Sequence, residues 1–571
     1  MLYSELAAVY ESLEADSERL KKAETLALLF RNADDTTLPK VVLLAQGKVF
    51  PPWAEEEIGI SALLMVKILS MATGFSSEEI GRLYKELGDF GLVAERLCDK
   101  KRQRTLFSVP LTVDKVFENL RKLASVEGKG SQETKFRIVS ELISSAGKGE
   151  ARYIVRTVLG DLRIGVAEGV VRDAIVAAFL AEGRPPKDCK AETEAVEWAW
   201  YLHPDFGEVA LIAKKRGVSG LKKVKLELGK PYHVLLADKS PSLEDALATF
   251  ENASLEYKYD GARIVIHKKG QKIWLFTRRL EDVTMQFPEL KDYALKAITP
   301  CDCVIEGELL GIDKKTGEPR PFQLLSQRIK RKYDIEKMAK EIPVQFNAFD
   351  IVYLDGKELF DVTLTERRIL LEKAVKPLPR FRLAKMLVTK DLAKAHAFYK
   401  EALNAGQEGV MVKNLDAAYQ PGRRVGFWLK VKPIMETLDL VISGALWGTG
   451  KRAGSLSSFV LACRSDLGFV DCGMMGTGIK EKAEEGLSFE QLTEMLTPHI
   501  IGESNGRVSV RPSLVVEVAY EEIQQSPTYS SGFALRFPRI VKIRPDKGVD
   551  EADDLPRMRS LFEAQHKRQS S

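Results

Sequence analysis

The chain has 571 residues, of which 45% are hydrophobic and 29% are charged, and its formal net charge is +5. This length predicts roughly two to four domains, because one hydrophobic core does not grow to that size. The composition is that of an ordinary globular protein, and no apolar run approaches the roughly 18 residues of a membrane span, which excludes a membrane-spanning class. The small excess of basic residues allows a nucleic-acid partner without requiring one.

Residues 1–230 are predicted to form an all-α domain. The segment Leu2–Leu13 spaces its apolar residues on one helical face and carries acidic residues in its first turns, unlike a signal or transit peptide. Val170–Leu180 shows the same 3.6-residue period. Glycine and proline breaks near Gly183–Pro186 and Gly229–Pro231 interrupt the helical pattern, and we place the domain boundary at the second break.

Residues 231–434 are predicted to form an α+β domain, because short β-branched and aromatic runs alternate there with helical stretches. One segment, Glu256-Tyr-Lys-Tyr-Asp-Gly-Ala-Arg263, places Lys258 between acidic and basic neighbours where an extended run begins. This pattern suggests a nucleophilic lysine, although a solvated strand end is the commoner meaning of such a tetrapeptide. We expect Gly261 to let the backbone approach a ligand closely.

Residues 435–571 are predicted to form an all-β domain. Apolar runs at Leu438–Trp447, Ser458–Cys463, Gly468–Cys472 and Ser513–Tyr520 are separated by turns, many of them rich in glycine. About five such strands suit a small barrel of the OB-fold type, followed by a polar tail. The predicted fold class is therefore a multidomain chain with all-α, α+β and all-β parts.

Several common functional sites are excluded by spacing. The six cysteines form no Cys-x-x-Cys pair and no cluster with histidine, which predicts a reducing compartment and no structural zinc. Neither Ser144–Lys148 nor Gly444–Lys451 has the spacing of a phosphate-binding P-loop. The six histidines are scattered and give no support for histidine catalysis.

The Lys258 segment is followed by further short motifs in a fixed order, and together they resemble the ATP-dependent DNA ligases of the covalent nucleotidyltransferase superfamily. These motifs are Phe-Thr-Arg278-Arg, Ile-Glu-Gly-Glu308-Leu, Ala-Phe349-Asp-Ile-Val-Tyr, Glu408-Gly-Val-Met-Val-Lys, Trp428-Leu-Lys430-Val-Lys432 and Ala534-Leu-Arg-Phe-Pro-Arg-Ile-Val-Lys-Ile-Arg-Pro-Asp-Lys547. Upstream, Leu159–Glu168 is similar to the DNA-binding domain of the archaeal and eukaryotic replicative ligases. The resemblance covers nearly the whole chain.

The resemblance implies a three-step reaction that begins at Lys258. The lysine attacks the α-phosphate of ATP and keeps AMP, the AMP moves to the 5′-phosphate of a DNA nick, and the 3′-hydroxyl then displaces it to seal the strand. A protonated ammonium group cannot attack, so Lys258 must lose its proton, which burial and neighbouring cations favour. Arg263, Lys430, Lys432 and a bound metal are the cations we expect near it.

The resemblance also assigns further nucleotide and metal contacts. Glu256 is expected to read the adenine edge and Phe349 to stack on the base, with a core phenylalanine as the alternative for Phe349. Lys430 and Lys432 are expected to contact the α-phosphate. The alternative is that these two lysines only line an exposed strand edge. Arg263, Arg278 and Arg424 are expected to contact phosphates of the nucleotide or of the nick. Glu308 and Glu408 are expected to bind Mg²⁺ or Mn²⁺, and the alternative for Glu308 is a contact with the ribose. We leave the role of Asp260 open.

Two further contacts follow from the resemblance. The last motif is expected to swing over the active site and orient the β- and γ-phosphates, or else to bind nucleic-acid backbone, through Arg536, Lys542, Arg544, Asp546 and Lys547. In the helical domain, DNA phosphates are expected to be bound by the cations Arg156, Arg163 and Arg172. Backbone amides at the turns of Gly160 and Gly165 are expected to contribute to the same binding.

A short segment in the helical domain resembles the clamp-binding motif of replicative ligases. It is carried by Gln103, Leu106 and Phe107, and the alternative is a loop whose leucine and phenylalanine enter the core. The predicted partners are therefore nicked duplex DNA and a sliding clamp, with no membrane, for a monomer in a prokaryotic cytoplasm.

Two other functions remain open on the sequence. An RNA ligase or a messenger-RNA capping guanylyltransferase shares the lysine motif, and a capping enzyme would take its label from GTP. A non-catalytic clamp partner that binds nicks would form no lysine adduct. The helical domain and the Arg536-Phe-Pro-Arg539 ending favour a DNA ligase.

Overall fold

The computed structural model describes residues 1–54, 56–100, 110–128, 130–331, 333–433, 435–448, 452, 454–504 and 506–567. Contacts divide the chain into two compact units. The first unit comprises Met1–Phe398 with Val410–Val431, and the second comprises Tyr399–Gly409 with Lys432–Ser571. The predicted domain boundaries at residues 230 and 434 stay predictions. No helix in the described ranges is long and apolar enough to cross a membrane.

The first part of the first unit is helical, as predicted. Its helices are α1 (Tyr3–Ala15), α2 (Arg19–Asn32), α3 (Leu38–Leu44), α4 (Ala62–Thr73), α5 (Ser77–Leu87), α6 (Phe90–Asp99), α7 (Val113–Lys122), α8 (Ser131–Ser145), α9 (Lys148–Val158), α10 (Glu168–Phe179), α11 (Lys190–Leu202) and α12 (Phe206–Leu221). Their apolar faces form one core that includes Tyr10, Phe30 and Tyr153. Local signals set the helix ends: Ser76 and Glu79 form a capping box at the start of α5.

The remainder of the first unit mixes strands and helices. The strands are β1 (Leu236–Lys239), β2 (Ala253–Lys258), β3 (Ala262–Lys269), β4 (Lys272–Thr277), β5 (Asp302–Ile312), β6 (Pro319–Arg320), β7 (Val344–Leu354), β8 (Lys357–Glu358), β9 (Phe381–Leu383), β10 (Met386–Val388), β11 (Gly409–Asn414) and β12 (Arg424–Val431). The helices are α13 (Leu243–Ala248), α14 (Pro288–Ala297), α15 (Phe322–Ile329), α16 (Ile335–Glu341) and α17 (Leu364–Ala374), and α18 (Leu392–Asn404) begins in this unit and ends in the second. The predicted α+β class is confirmed.

These strands build two sheets. The first has the order β1-β12-β11-β2-β10, with β1 parallel to β12. The second runs β4-β3-β5-β7-β8, with β6 added to β5 and β9 to β7. A core that includes Phe287 and Phe346 covers one face of the second sheet. A separate core, which includes Val265, Phe349 and Trp428, lies between the two sheets and fixes their spacing.

The second unit is rich in strands, and the predicted all-β class is confirmed. Its strands are β13 (Leu438–Trp447), β14 (Leu456–Ser465), β15 (Gly468–Met475), β16 (Ile500–Ser504), β17 (Arg507–Val510), β18 (Val515–Ala519), β19 (Glu522–Gln525), β20 (Phe533–Arg536) and β21 (Arg539–Ile543), accompanied by α19 (Phe489–Leu496) and α20 (Leu555–Lys567). The main sheet runs β15-β14-β13-β17-β16, while β18 joins β13 to β21 and β19 pairs with β20.

Candidate functional site

Lys258, the predicted nucleophile, lies at the edge of the space between the two sheets of the first unit, which we call the cleft. Lys258 ends β2 and points to the same side as Glu256, because side chains two residues apart on a strand share a face. On that side Glu256 contacts Lys413 of β11, whose Nζ lies 4.5 Å from the ring centre of Phe349 on the opposite sheet. Lys258 therefore faces the second sheet at the rim of this core.

The turn after Lys258 packs tightly against β5. A Cβ added at Gly261 would lie 2.4 Å from the backbone oxygen of Leu309, so no larger residue fits there without movement. The glycine was expected to admit a ligand, whereas the close approach that the structure shows is to a neighbouring strand. Asp260 accepts a hydrogen bond from the backbone nitrogen of Phe322 at 3.2 Å, which ties this turn to the start of α15.

Glu256 belongs to a buried ion pair. Lys413 Nζ lies 2.6 Å from Glu256 Oε2, and the two side chains are only 2% and 3% exposed. Burial lowers the pKa of Lys413, while the charge of Glu256 opposes this shift. The lysine also lies 4.2 Å from the ring centre of Trp428, so it makes a cation–π contact with each of two rings.

Arg263, the last residue of the lysine motif, contacts the same pair of aromatic rings. Its guanidinium carbon is 5.3 Å from the ring centre of Phe349 and 5.2 Å from that of Trp428. Its Nη2 contacts Glu306 Oε2 at 2.5 Å. Burial opposes the charge on this arginine, but Glu306 raises its pKa overall, so the cation is held in place.

Phe349 owes its position to a β-bulge. Glu306 pairs with Asp350 and Gly307 pairs with Ala348, so Phe349 has no partner on β5. Its ring is 8% exposed and meets Trp428 edge to face at 5.8 Å. The ring is thus part of the core between the sheets, which is the alternative named for it, and adenine stacking stays a prediction.

The other predicted side chains of the first unit come from both sheets and from the turn after β4. Arg263 of β3 pairs directly with Glu308 of β5, and partial burial together with the charges of Arg263 and Arg424 lowers the pKa of Arg278. These four side chains therefore share one electrostatic environment. On β12, Lys430 lies two residues after Trp428 and shares the side of the strand that faces the cleft.

Glu408 and Lys432, predicted to hold a metal and a phosphate, form an ion pair in the second unit. Lys432 Nζ is 2.7 Å from Glu408 Oε2 and 3.6 Å from Glu521 Oε2, and Arg536 Nη1 lies 3.8 Å from Glu408 Oε1. The two candidate metal ligands thus differ: Glu408 already contacts two cations, whereas Glu308 belongs to the first unit. The described residues contain no cluster of three or more metal-binding side chains.

The residues predicted from the last motif are engaged within the second unit. Arg544 and Lys547 both contact Asp439 on β13, at 2.9 Å and 2.7 Å, and Arg544 also contacts Asp546 at 2.7 Å. They therefore join the end of the motif to the first strand of the sheet.

The two earlier cations of this motif make contacts with neighbouring strands. Arg536 Nη1 lies 3.0 Å from Glu522 on the paired strand β19. Lys542 lies 3.5 Å from Glu517 on β18 and is largely exposed. Lys542 is thus the more accessible of these two cations.

The predicted DNA contacts of the helical domain stay predictions, and the structure shows how their residues are placed. Arg156 is 3% exposed and contacts Glu14 and Asp89, each at 2.8 Å, so it supports the helices and is not placed to grip DNA. Arg163 has a positive φ of 59° and contacts Asp161, and Arg172 contacts Glu197. The predicted turns at Gly160 and Gly165 do have positive φ angles. Gln103, Leu106 and Phe107 lie outside the described residues.

Sequence reasoning missed several buried partners of the site. Lys413 is the last residue of the motif Glu408-Gly-Val-Met-Val-Lys, and Glu306 lies two residues before Glu308. Their positions in these motifs could therefore have identified both residues. Tyr232 and Tyr419 carried no comparable signal. Their hydroxyl groups both contact Glu306, which is fully buried.

Comparison with protein families gives three matches in chain order. The family models are described as DNA ligase N terminus, ATP dependent DNA ligase domain, and ATP dependent DNA ligase C terminal region. They match residues 2–176, 234–432 and 452–547. The second match contains Lys258 and the other cleft residues of the two sheets.

Full-length relatives are similar across the whole chain. A DNA ligase of Nanoarchaeum equitans is 47% identical, one of Thermococcus fumicolans is 43% identical, and one of Archaeoglobus fulgidus is 42% identical. Each alignment covers 99% of both proteins. The solved structure Pmar-Lig_PreS3 has a TM-score of 0.58 at 17% identity and covers 94% of this chain and 99% of its own, which shows a shared fold.

Proposed function

The chain belongs to the family of ATP-dependent DNA ligases, and we propose that Lys258 is the residue on which it carries AMP. The enzyme seals nicks in duplex DNA, joining a 5′-phosphate to a 3′-hydroxyl at the expense of ATP. Its sealing activity serves DNA replication, repair and recombination. Because chromosomal DNA is the substrate, we place the enzyme in the cytoplasm with the nucleoid.

The observation that carries the assignment is the position of Lys258 at the rim of the cleft. Glu256 and Lys258 share one side of β2, and Phe349, Arg263 and Glu308 belong to the opposite sheet. A nucleotide between the sheets would meet an acceptor for its exocyclic amino group, an aromatic ring and cations for its phosphates. Such positioning and charge neutralisation supply most of the catalysis in phosphoryl and nucleotidyl transfer.

The reaction exchanges bonds at two phosphorus atoms: the first two steps occur at the α-phosphorus of ATP, and the last step occurs at the phosphorus of the DNA 5′-phosphate. The Nζ of Lys258, after losing its proton, forms a P–N bond to the α-phosphate as the bond to pyrophosphate breaks. The DNA 5′-phosphate then replaces the lysine, and the 3′-hydroxyl finally replaces AMP. We propose that Lys430, Lys432, Arg278 and Arg424 balance the phosphate charges during these steps.

A divalent cation, Mg²⁺ or Mn²⁺, fits the donor chemistry at Glu308. This carboxylate is partly exposed and is the direct neighbour of Arg263 on the paired strand. Hard cations of this kind are bound in phosphoryl-transfer sites by one or two carboxylates together with substrate phosphates. Glu408 is the second candidate, although its carboxylate contacts Lys432. When bound, the cation would neutralise phosphate charge and help to orient the leaving group.

The role of Lys258 can be tested by separating the steps. Full-length wild-type protein and Lys258→Ala are given an ordinary nick with ATP, and in parallel a nick whose 5′-phosphate already carries AMP. We expect Lys258→Ala to fail on the ordinary nick and to seal the adenylated one, because only the first two steps need the lysine. Sealing of the ordinary nick by Lys258→Ala would overturn the assignment.

The last motif and the clamp segment complete the proposal. We assign Arg536, Lys542, Arg544, Asp546 and Lys547 to contacts with the β- and γ-phosphates during lysine adenylylation. The clamp segment Gln103–Phe107 would bind a sliding clamp. Binding of a purified clamp to the wild-type monomer in light-scattering chromatography, and its loss in Phe107→Ala, is the expected result. Equal clamp binding by both proteins, or self-association of the ligase alone, would contradict this part.

A further inference from the structure

A buried hydrogen-bond network links Arg263 to the segment that joins the helical domain to β1. The hydroxyl groups of Tyr232 and Tyr419 both donate to Glu306 Oε1, the second at 2.6 Å. The other carboxylate oxygen, Oε2, accepts from Arg263 Nη2 at 2.5 Å. Glu306 is fully buried, so these three donors take the place of water around its charge.

The same segment supplies a second contact to the arginine. Arg263 Nη1 donates to the backbone oxygen of Leu235 at 2.7 Å. The backbone nitrogen of Leu235 donates in turn to the hydroxyl of Tyr419 at 2.8 Å, so Tyr419 accepts from this segment while it donates to Glu306. Two amino nitrogens of the guanidinium group are thus fixed, directly or through Glu306, by residues 232–235.

This segment, residues 222–235, which we call the α12–β1 linker, is itself anchored. Leu226 donates a backbone hydrogen bond to Glu358 at 2.6 Å, and Gly229 donates one to His267 Nδ1 at 3.2 Å. A Cβ at Gly229 would lie 2.9 Å from the ring of Trp274, so the linker lies directly on the second sheet. The linker is therefore a fixed part of the first unit beside the cleft.

We propose that Tyr232 of the α12–β1 linker, together with Tyr419, is a positioning residue for ATP and acts through Glu306 on Arg263. Tyr232 lies two residues before residue 234, where the match to the ATP dependent DNA ligase domain begins. The inference rests on the proposed contact between Arg263 and the nucleotide. Without the tyrosine hydroxyl groups, the buried carboxylate loses donors and no longer fixes the arginine.

The test measures lysine adenylylation by the full-length protein as ATP is varied. For Tyr232→Phe and Tyr419→Phe we expect the KM for ATP to rise about tenfold each, with kcat changed much less, since each substitution removes one hydrogen bond to a charged group. Tyr10→Phe is the matched control, because the buried Tyr10 hydroxyl has no hydrogen-bond partner among the described residues. Its KM for ATP should equal that of the wild type.

Two further variants separate this inference from the proposed role of Arg263. Arg263→Gln should raise the KM for ATP, and adding Tyr232→Phe to it should raise the KM no further, because the tyrosine acts through the arginine. If Arg263→Gln leaves the KM unchanged, the nucleotide contact itself is wrong. If Arg263→Gln raises the KM while Tyr232→Phe only lowers the melting temperature, the tyrosine is merely structural and the inference fails.

Discussion

Glu256 and Lys413 form a buried ion pair that joins the nucleophile strand β2 to its neighbour β11, with 2.6 Å between Oε2 and Nζ. Removing one partner of such a pair leaves an uncompensated charge and costs about 3–5 kcal/mol. We therefore expect Lys413→Met to lower the free energy of unfolding by this amount. The measurement is denaturant unfolding of the full-length protein, followed by a probe in the first unit.

The double variant Glu256→Gln with Lys413→Met is the control for this pair. It removes both charges, so it should recover most of the lost stability. The double variant should still be adenylylated by ATP more slowly than the wild type, because it lacks the carboxylate that is proposed to read adenine. A double variant as unstable as Lys413→Met would show that packing of the lysine chain, rather than its charge, matters.

Gly261 is required by the neighbouring strand. The Cβ of Gly261→Ala would meet the backbone oxygen of Leu309 at 2.4 Å, and a backbone atom on a central strand cannot easily move away. We expect adenylylation to fall at least about tenfold and stability to fall by about 1–3 kcal/mol. The control is Gly81→Ala in α5, where no atom lies within 4 Å, and this variant should be neutral or slightly more stable. Wild-type adenylylation by Gly261→Ala would refute the steric account.

Two buried histidines predict that the first unit loses stability in acid. Burial lowers the pKa of His267 to about 3 and that of His233 to about 4, from 6.5. Between these pKa values and pH 6.5 the unfolded chain binds more protons than the folded protein. The stability gained from the neutral histidines is therefore complete above pH 6.5 and is lost as the pH falls toward their pKa values in the folded protein. The slope is at most about 1.4 kcal/mol per pH unit for each histidine.

The measurement for this pH dependence is unfolding of wild type and His233→Gln between pH 7 and 4.5. Fluorescence of Trp200 offers a local probe, because its ring lies 4.3 Å from that of His233. The variant should show a shallower pH dependence than the wild type. Identical slopes in the two proteins would mean that carboxylates alone cause the acid sensitivity.

Arg156 separates stability from DNA binding in the helical domain. It is buried between Glu14 and Asp89, which would keep only Arg152 and Arg163 as cationic partners in Arg156→Met, so this substitution should cost about 1–3 kcal/mol. At a temperature where the variant is folded, its affinity for nicked DNA and the salt dependence of that affinity should match the wild type. If the slope of log affinity against log salt concentration falls by about one unit, which corresponds to the loss of one phosphate contact, this arginine contacts the DNA.

The sequence predicted the parts of the site that are local. Lys258, Gly261 and Arg263 stand in one short motif, and alternation along the strand is enough to predict which side chains share a side. The pairing of Glu256 with Lys413 spans 157 positions in the chain, and no local pattern encodes such a contact. Its existence depends on β2 and β11 becoming neighbours in a sheet.

The same limit explains the arginine that the sequence misjudged. A helical period shows that Arg156 is on a helix, but its burial depends on Glu14 and Asp89, which come from α1 and the start of α6. In the second unit the long apolar strand β13 was predicted, whereas β19, β20 and β21 were not, because strands of four or five residues have too little alternation to recognise.

The most direct test of the account is to locate the AMP. Full-length protein is incubated with Mg²⁺ and ATP labelled at the α-phosphate, denatured and digested, and the labelled peptide is identified by mass spectrometry. We predict one AMP on Lys258, none on Lys258→Ala, and discharge of the label when nicked DNA is added before denaturation. Label that persists on folded Lys258→Ala, or label from GTP in preference to ATP, would contradict the central claim.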